Sequence, residues 1–158
     1  MTHFLLSPND ANIIDSFDTI KDIIKDDDFS FFLESYNDII DNFDFYRSNN
    51  SNYNVEGNYV KVKLLTADWF DAYIIFWGPN AISKIHDHAD NGCVYKIIKG
   101  SLEETTFFHI NLLERSRKIL GVGDIGEITN DVGYHSMKNL LESVSVSIHF
   151  YSPPNYVM

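Results

Sequence analysis

Three histidines stand out for what they could do together. His86 and His88 form a His-x-His triplet at the end of Trp77-Gly-Pro-Asn-Ala-Ile-Ser-Lys-Ile-His-Asp-His88, and His135 follows in Gly133-Tyr-His-Ser-Met-Lys-Asn139. Side chains alternate along a β-strand, so His86 and His88 would leave a strand from the same face. Two imidazoles on that face and a third from a neighbouring strand close one side of a metal's coordination sphere. The other side stays open for substrate and oxygen. A bare His-x-His more often marks a wet strand face; the residues around this one are what argue otherwise.

Elements must carry these side chains, and the chain divides into two patterns. From Ser7 to Tyr46 apolar residues recur at helical spacing, with Ile13, Phe17, Ile20 and Ile24 in one stripe and Phe32, Tyr36, Ile39, Ile40 and Phe43 in another. Ser7-Pro8 reads as an N-cap with proline at the first helical position, and Asp26-Asp27-Asp28 as the break between two helices. From Tyr59 the period becomes two: Val60, Val62 and Leu64 alternate with Tyr59, Lys61 and Lys63. Further strands are predicted over 70–77, 83–88, 93–98, 103–108, 117–120, 127–128, 135–139 and 143–151, with turns at Lys99-Gly100-Ser101 and Gly121-Val-Gly-Asp124. The expectation is one domain over 1–158: a helical layer over 1–50, and a double-sheet β-barrel of six to eight strands over 59–154. The polar stretch Arg47-Ser-Asn-Asn-Ser-Asn-Tyr-Asn54 separates the two.

Composition narrows the class. The 158 residues are 44% hydrophobic, enough for a sizeable core. A net charge of −11 argues against nucleic acid or an anionic membrane as partner. No run approaches the ~20 apolar residues of a membrane span, and Met1–Pro8 lacks the basic and apolar regions of a signal peptide. A single cysteine, Cys93, excludes an internal disulfide and fits a reducing compartment. The expectation is a cytoplasmic protein, a monomer by preference, handling something small.

The motifs resemble the cupin superfamily. His86 and His88 fit its first motif and Gly100 its closing glycine, while His135 and Asn139 fit the second motif's His-x-x-x-Asn. Cys93 stands where the first motif has glutamate, so three neutral imidazoles replace the more common carboxylate-bearing set. Together with Lys99-Gly-Ser-Leu-Glu-Glu-Thr105 and Ser145-Val-Ser-Ile-His-Phe-Tyr-Ser-Pro-Pro154, these blocks resemble the cysteine dioxygenases from about Tyr59 to Pro154.

That resemblance implies a cupin double-stranded β-helix and a ferrous ion, Fe(2+), on His86, His88 and His135. The ion would bind a small-molecule thiol and O2, both oxygen atoms ending on sulfur as a sulfinic acid. It further implies an outer relay of Ser147, His149 and Tyr151, and a thioether between Cys93 and Tyr151. The family anchors a substrate carboxylate with an arginine two residues after a tyrosine. The corresponding pair here is Tyr59 and Lys61, with Trp77 beside them and Lys63 as a substitute on the same strand face. Lysine offers a point charge where arginine offers a planar fork. Arg47, Arg115 and Arg117 are the only arginines; of these Arg47, read as part of a loop, could reach inward. L-Cysteine is the implied substrate, with 3-mercaptopropionate or cysteamine as alternatives. A non-catalytic metal-binding cupin is the competing class, against which His149 and Tyr151 weigh.

Overall fold

The computed structural model describes residues 8–25, 34–48, 54–56 and 58–156. Among the described residues the helices α1 (Pro8–Ala11), α2 (Phe17–Ile24), α3 (Asn37–Asp41) and α4 (Phe43–Ser48) come first. Nine strands follow: β1 (Asn54–Glu56), β2 (Tyr59–Thr66), β3 (Asp71–Trp77), β4 (Gly92–Lys99), β5 (Ser101–Phe107), β6 (Glu114–Gly121), β7 (Ile125–Ile128), β8 (Tyr134–Lys138) and β9 (Ser145–Ser152). They form a six-stranded sheet, β1-β2-β3-β9-β4-β7, and a three-stranded sheet, β6-β5-β8. Every pairing between strands is antiparallel.

The six-stranded sheet is covered on both faces. Its inner face meets the small sheet, where Tyr59, Ile75, Trp77, Tyr95 and Ile97 join Leu102, Leu120 and Met137 in one core. Its outer face meets the helices: Phe17, Ile20 and Ile24 of α2 bury against Phe70, Ala72, Val94, Ile148 and Phe150. Ile39 and Phe43 cover Val60, Val62, Ile74, Phe76 and Val146. Strand β9, central in the sheet, is buried at all eight positions. Alternation then sends Val146, Ile148 and Phe150 to the helices and Ser145, Ser147, His149 and Tyr151 inward.

The helical layer and the double-sheet architecture agree with the sequence expectation; several details differ. The region read as two helices holds four short ones among the described residues, and nine strands replace the six to eight expected. Ile13 is 82% exposed, and Ile14 is buried in its place, because α1 stops at Ala11 and the turn behind it breaks helical phase before α2 begins. Ser16 caps α2, its Oγ accepting from the Thr19 amide at 3.2 Å. Ser7, Asp26-Asp27-Asp28 and Phe32 lie outside the described residues. Arg47 sits in α4 and faces Asp44 at 3.9 Å.

The segment read as a strand over 83–88 is not one. It is an extended loop touching β8 through two isolated bridges, Ile82 to Lys138 and His86 to His135. Backbone hydrogen bonds between Ser83 and Met137 and between His86 and His135 fasten it, and the Asn139 amide donates to the carbonyls of Trp77 and Gly78 at its start. Ladder alternation therefore does not orient His86 and His88; a point attachment to β8 holds His86, and Asn130 holds the His88 backbone. At the β4–β5 turn Gly100 has φ +73°, and a Cβ there would lie 2.3 Å from Ser145 Oγ, so glycine is required.

Phe150→Ala should lower the urea-unfolding free energy by about 3–5 kcal/mol, as expected for deleting a fully buried aromatic. Ile13→Ala should change it by less than about 0.5 kcal/mol, as expected at an exposed site. An equal loss in both variants would contradict the observed helical phase.

Candidate metal centre

The inner ends of β4, β8 and β9 and the 78–91 loop converge on the three histidines. One ring nitrogen from each of His86, His88 and His135 lies within 4.8 Å of the others. His88 and His135 are buried and His86 is partly so. His86 Nδ1 is 2.7 Å from the Lys84 carbonyl, and His135 Nδ1 is 2.9 Å from a Glu104 carboxylate oxygen. Both partners only accept, so each Nδ1 carries the hydrogen, which leaves Nε2 as the nitrogen able to present a lone pair. Those two Nε2 atoms face each other at 3.0 Å.

Two lone pairs at that distance need a shared cation. A proton could serve only one pair of rings, yet His88 adds two buried ring nitrogens that have no hydrogen-bond partner in the structure. A buried, unsatisfied polar atom is costly, and three such imidazoles aimed at one point fit a metal ion better than a proton. Burial, followed by the neighbouring His135, lowers the pKa of His86 to about 4, and the same causes lower His88 to about 2. Both are therefore neutral at pH 7. The backbone of His88 is held by Asn130, whose side chain accepts from the His88 amide at 2.9 Å and donates to its carbonyl at 3.0 Å.

The remaining sequence-predicted residues meet at the same place. A small pocket is lined by Tyr59, Lys61, Trp77, His86, His135, His149 and Tyr151, among others. The Trp77 indole N–H donates to Ser147 Oγ at 2.9 Å, and Ser147 Oγ is 2.7 Å from His149 Nε2. His149 and Tyr151 lie with ring centroids 6.0 Å apart and planes 14° apart, so the rings are nearly parallel neighbours. Cys93 lies directly opposite Tyr151 in the β4–β9 ladder, with its Sγ 3.9 Å from His149 Nδ1. Burial pushes the Tyr151 phenol and the Cys93 thiol above their ordinary pKa values and His149 below its own, so all three are neutral.

Lys61 supplies positive charge to this pocket. Its Nζ lies 4.7 Å from the Tyr73 ring centroid and 5.3 Å from that of Tyr151. Lys63 turns away to Asp71 at 3.6 Å. Arg117 pairs with Glu114 and Glu103, Arg115 donates to the Val132 carbonyl, and none of the three arginines lines the pocket.

Four residues escaped the sequence reading. Glu104 holds His135 and accepts from the buried Tyr95 hydroxyl; Asn130 holds the His88 backbone; Tyr156 stacks on Tyr151 and donates to Asp87, between two of the histidines. Only Glu104 leaves a trace in sequence, as a carboxylate sharing the inward phase of Leu102 on β5. The others are visible only once the chain is folded.

Residues 15–157 match the family model for cysteine dioxygenase type I. Cysteine dioxygenase type 1 from Bos taurus is 34% identical over 91 residues, covering 54% of this chain and 46% of that protein; the chain matches about half the length of such relatives. The cupin domain of Cnp3 from Schizosaccharomyces pombe superposes with a TM-score of 0.52 at 15% identity, covering 66% of this chain and 70% of that one. KdgF from Halomonas sp. superposes at 0.54 and 18% identity, covering 64% and 84%. These likenesses show the cupin fold. Among the described residues no helix is long and apolar enough to cross a membrane.

A histidine with a lowered folded-state pKa stabilises the fold above its unfolded value, and that contribution is lost as pH falls through the folded value. For His86 the window runs from its ordinary 6.5 down to about 4. The chelator-treated protein should therefore show a urea midpoint that falls steadily as pH is lowered through that window. A midpoint flat across it would contradict burial of neutral imidazoles.

Proposed function

The chain belongs to the cysteine dioxygenase family, and from that premise we propose that it is an iron(II)-dependent thiol dioxygenase acting on L-cysteine. The reaction is R–SH + O2 → R–SO2H, with both oxygen atoms retained on sulfur. The observation that carries the reading is the convergence of three imidazoles beside Cys93, His149 and Tyr151. Three histidines without a carboxylate suit a ferrous ion, which would supply open coordination positions where thiolate and dioxygen meet.

The chain's own residues have separable tasks. Lys61 attracts a carboxylate into the pocket, and the Tyr73 and Tyr151 rings restrain its ammonium. Tyr59 and Trp77 pack against each other, centroids 4.8 Å apart, and form an apolar wall behind it. Tyr151 keeps its proton and is a hydrogen-bond donor to a substrate oxygen or sulfur. Trp77, Ser147 and His149 form a hydrogen-bonded line that fixes the imidazole plane on which Tyr151 rests. A phenol and its support have no evident use in a protein that only holds a metal.

Lysine cannot form the two parallel bonds of a guanidinium. That observation keeps 3-mercaptopropionate, which has a carboxylate and no amine, as the second reading. Aerobic incubation of the iron-loaded protein with cysteine, 3-mercaptopropionate and cysteamine, followed by mass spectrometry, should yield a sulfinate from cysteine foremost. No sulfinate from any thiol would overturn the reading. Lys61→Ala should raise KM for the carboxylated thiols about tenfold or more, the worth of a charge-assisted hydrogen bond, and leave cysteamine little changed. Equal effects on all three would remove the carboxylate role.

Cys93 and Tyr151 are cross-strand partners, a placement that brings Cβ atoms to about 4.5–5.5 Å. A carbon–sulfur bond between thiol and phenol ring would release two hydrogens, whose electrons pass to dioxygen. Turnover should therefore lower the intact mass by about 2 Da and abolish alkylation of Cys93. A fully alkylatable Cys93 after many turnovers would leave it as core packing.

A further inference from the structure

Strand β5 brings Glu104 beneath the metal centre, and the chain surrounds its carboxylate with donors. One oxygen accepts from His135 Nδ1 at 2.9 Å and from the Tyr95 hydroxyl; the other lies 3.6 Å from Lys118 Nζ. Glu104, Tyr95 and His135 are all at most 3% exposed. A carboxylate this deep persists only with its charge and lone pairs matched, and Lys118 and the two buried donors match them.

Tyr95 has a second contact. Its ring lies against His149, centroids 5.3 Å apart and planes 22° apart. It therefore touches both halves of the site: the His135 side through Glu104, and the His149–Tyr151 side through its face. The fold makes room for this ring. It lies over Gly126 of β7, the residue opposite Tyr95 in the ladder, where a Cβ would come within 2.3 Å of the ring.

We propose that Glu104 and Tyr95 are a positioning pair: Glu104 fixes the His135 tautomer and aims its Nε2 at the metal, and Tyr95 locks Glu104 while setting the plane of His149. Neither residue touches substrate. The hydroxyl removes one rotational freedom of the carboxylate, and the carboxylate removes one of the imidazole. The lone pair is then aimed before a metal arrives. The inference rests on the three-histidine metal reading and adds the residues that make those ligands rigid.

The test is metal affinity rather than turnover. Co(II) and Zn(II) dissociation constants are measured by competition with a chelator for the wild type, Glu104→Gln, Glu104→Ala and Tyr95→Phe. Urea unfolding of each metal-free variant is measured alongside. Loss of an outer partner of a ligating histidine costs about 10–100-fold in affinity. Glu104→Ala should fall in that range. Glu104→Gln, which keeps an acceptor oxygen, should lose less, and Tyr95→Phe, which keeps the ring, a few-fold. The Co(II) absorption bands should shift in the Glu104 variants as His135 reorients.

A purely structural role would lower metal-free stability and leave the affinity of the folded protein and its Co(II) spectrum as in the wild type. That outcome overturns the proposal. A wild type that binds neither ion would instead overturn the three-histidine reading, and this inference with it. Should Glu104→Ala fail to fold, Glu104→Gln and Tyr95→Phe still decide the question, since each removes one feature and keeps the volume.

Discussion

Strand β9 lies between β3 and β4 at the centre of the six-stranded sheet, and neither of its faces meets water. One face is apolar and receives the helices; the other carries Ser145, Ser147, His149 and Tyr151 into the space between the sheets. Such polar side chains in a core must find partners or destabilise it. Much of the interior answers that demand. Trp77 turns its indole N–H to Ser147, Asn139 takes the Ser145 hydroxyl, and Tyr95 and Tyr151 lie with their rings nearly parallel to His149. The site is the polar interior of a double-sheet core, kept dry by the layers on either side.

Dryness decides the chemical character of the groups. Burial keeps His86, His88 and His149 neutral and keeps the Tyr151 and Cys93 protons in place. A neutral imidazole offers a lone pair, and a protonated phenol is a donor. Lys61 and Glu104 bring charge to the edges of this site. Lys61 approaches from β2 on the pocket side, and Glu104 lies on the far side of His135 with Lys118 and Tyr95 beside it. The cation borders the pocket. The anion sits where it can pull on a ligand's N–H without entering the pocket.

The helices serve the site indirectly. They do not line the pocket, but they cover the outer face of the sheet, so β9 can spend its inner face on polar residues and still be buried on both sides. A sheet with a solvated outer face would place its apolar residues inward, as most antiparallel sheets do. The acidic surface of the chain is compatible with this arrangement, because the site's charges are internal and matched nearby.

The residue types alone determined much of this. A period of two from Tyr59 onward, glycine at turns and a helical spacing before Arg47 were enough for a double-sheet fold with a helical layer, because alternation and turn chemistry are local properties. The site histidines, Cys93, and the Ser147-His149-Tyr151 alternation were legible because each lies in a short motif whose spacing is its meaning. Tertiary structure decided what depends on distant partners. His86 and His88 lie on a loop pinned to β8, not on a strand, since an isolated bridge at His86 and Asn130 at the His88 backbone supply the hold that a ladder would have supplied. Lys61 lines the pocket while Lys63, in the same phase but two residues further along and opposite Tyr73, reaches Asp71. The link from Tyr95 through Glu104 to His135 joins three strands of two sheets, and no spacing along the chain encodes a contact that only sheet packing creates.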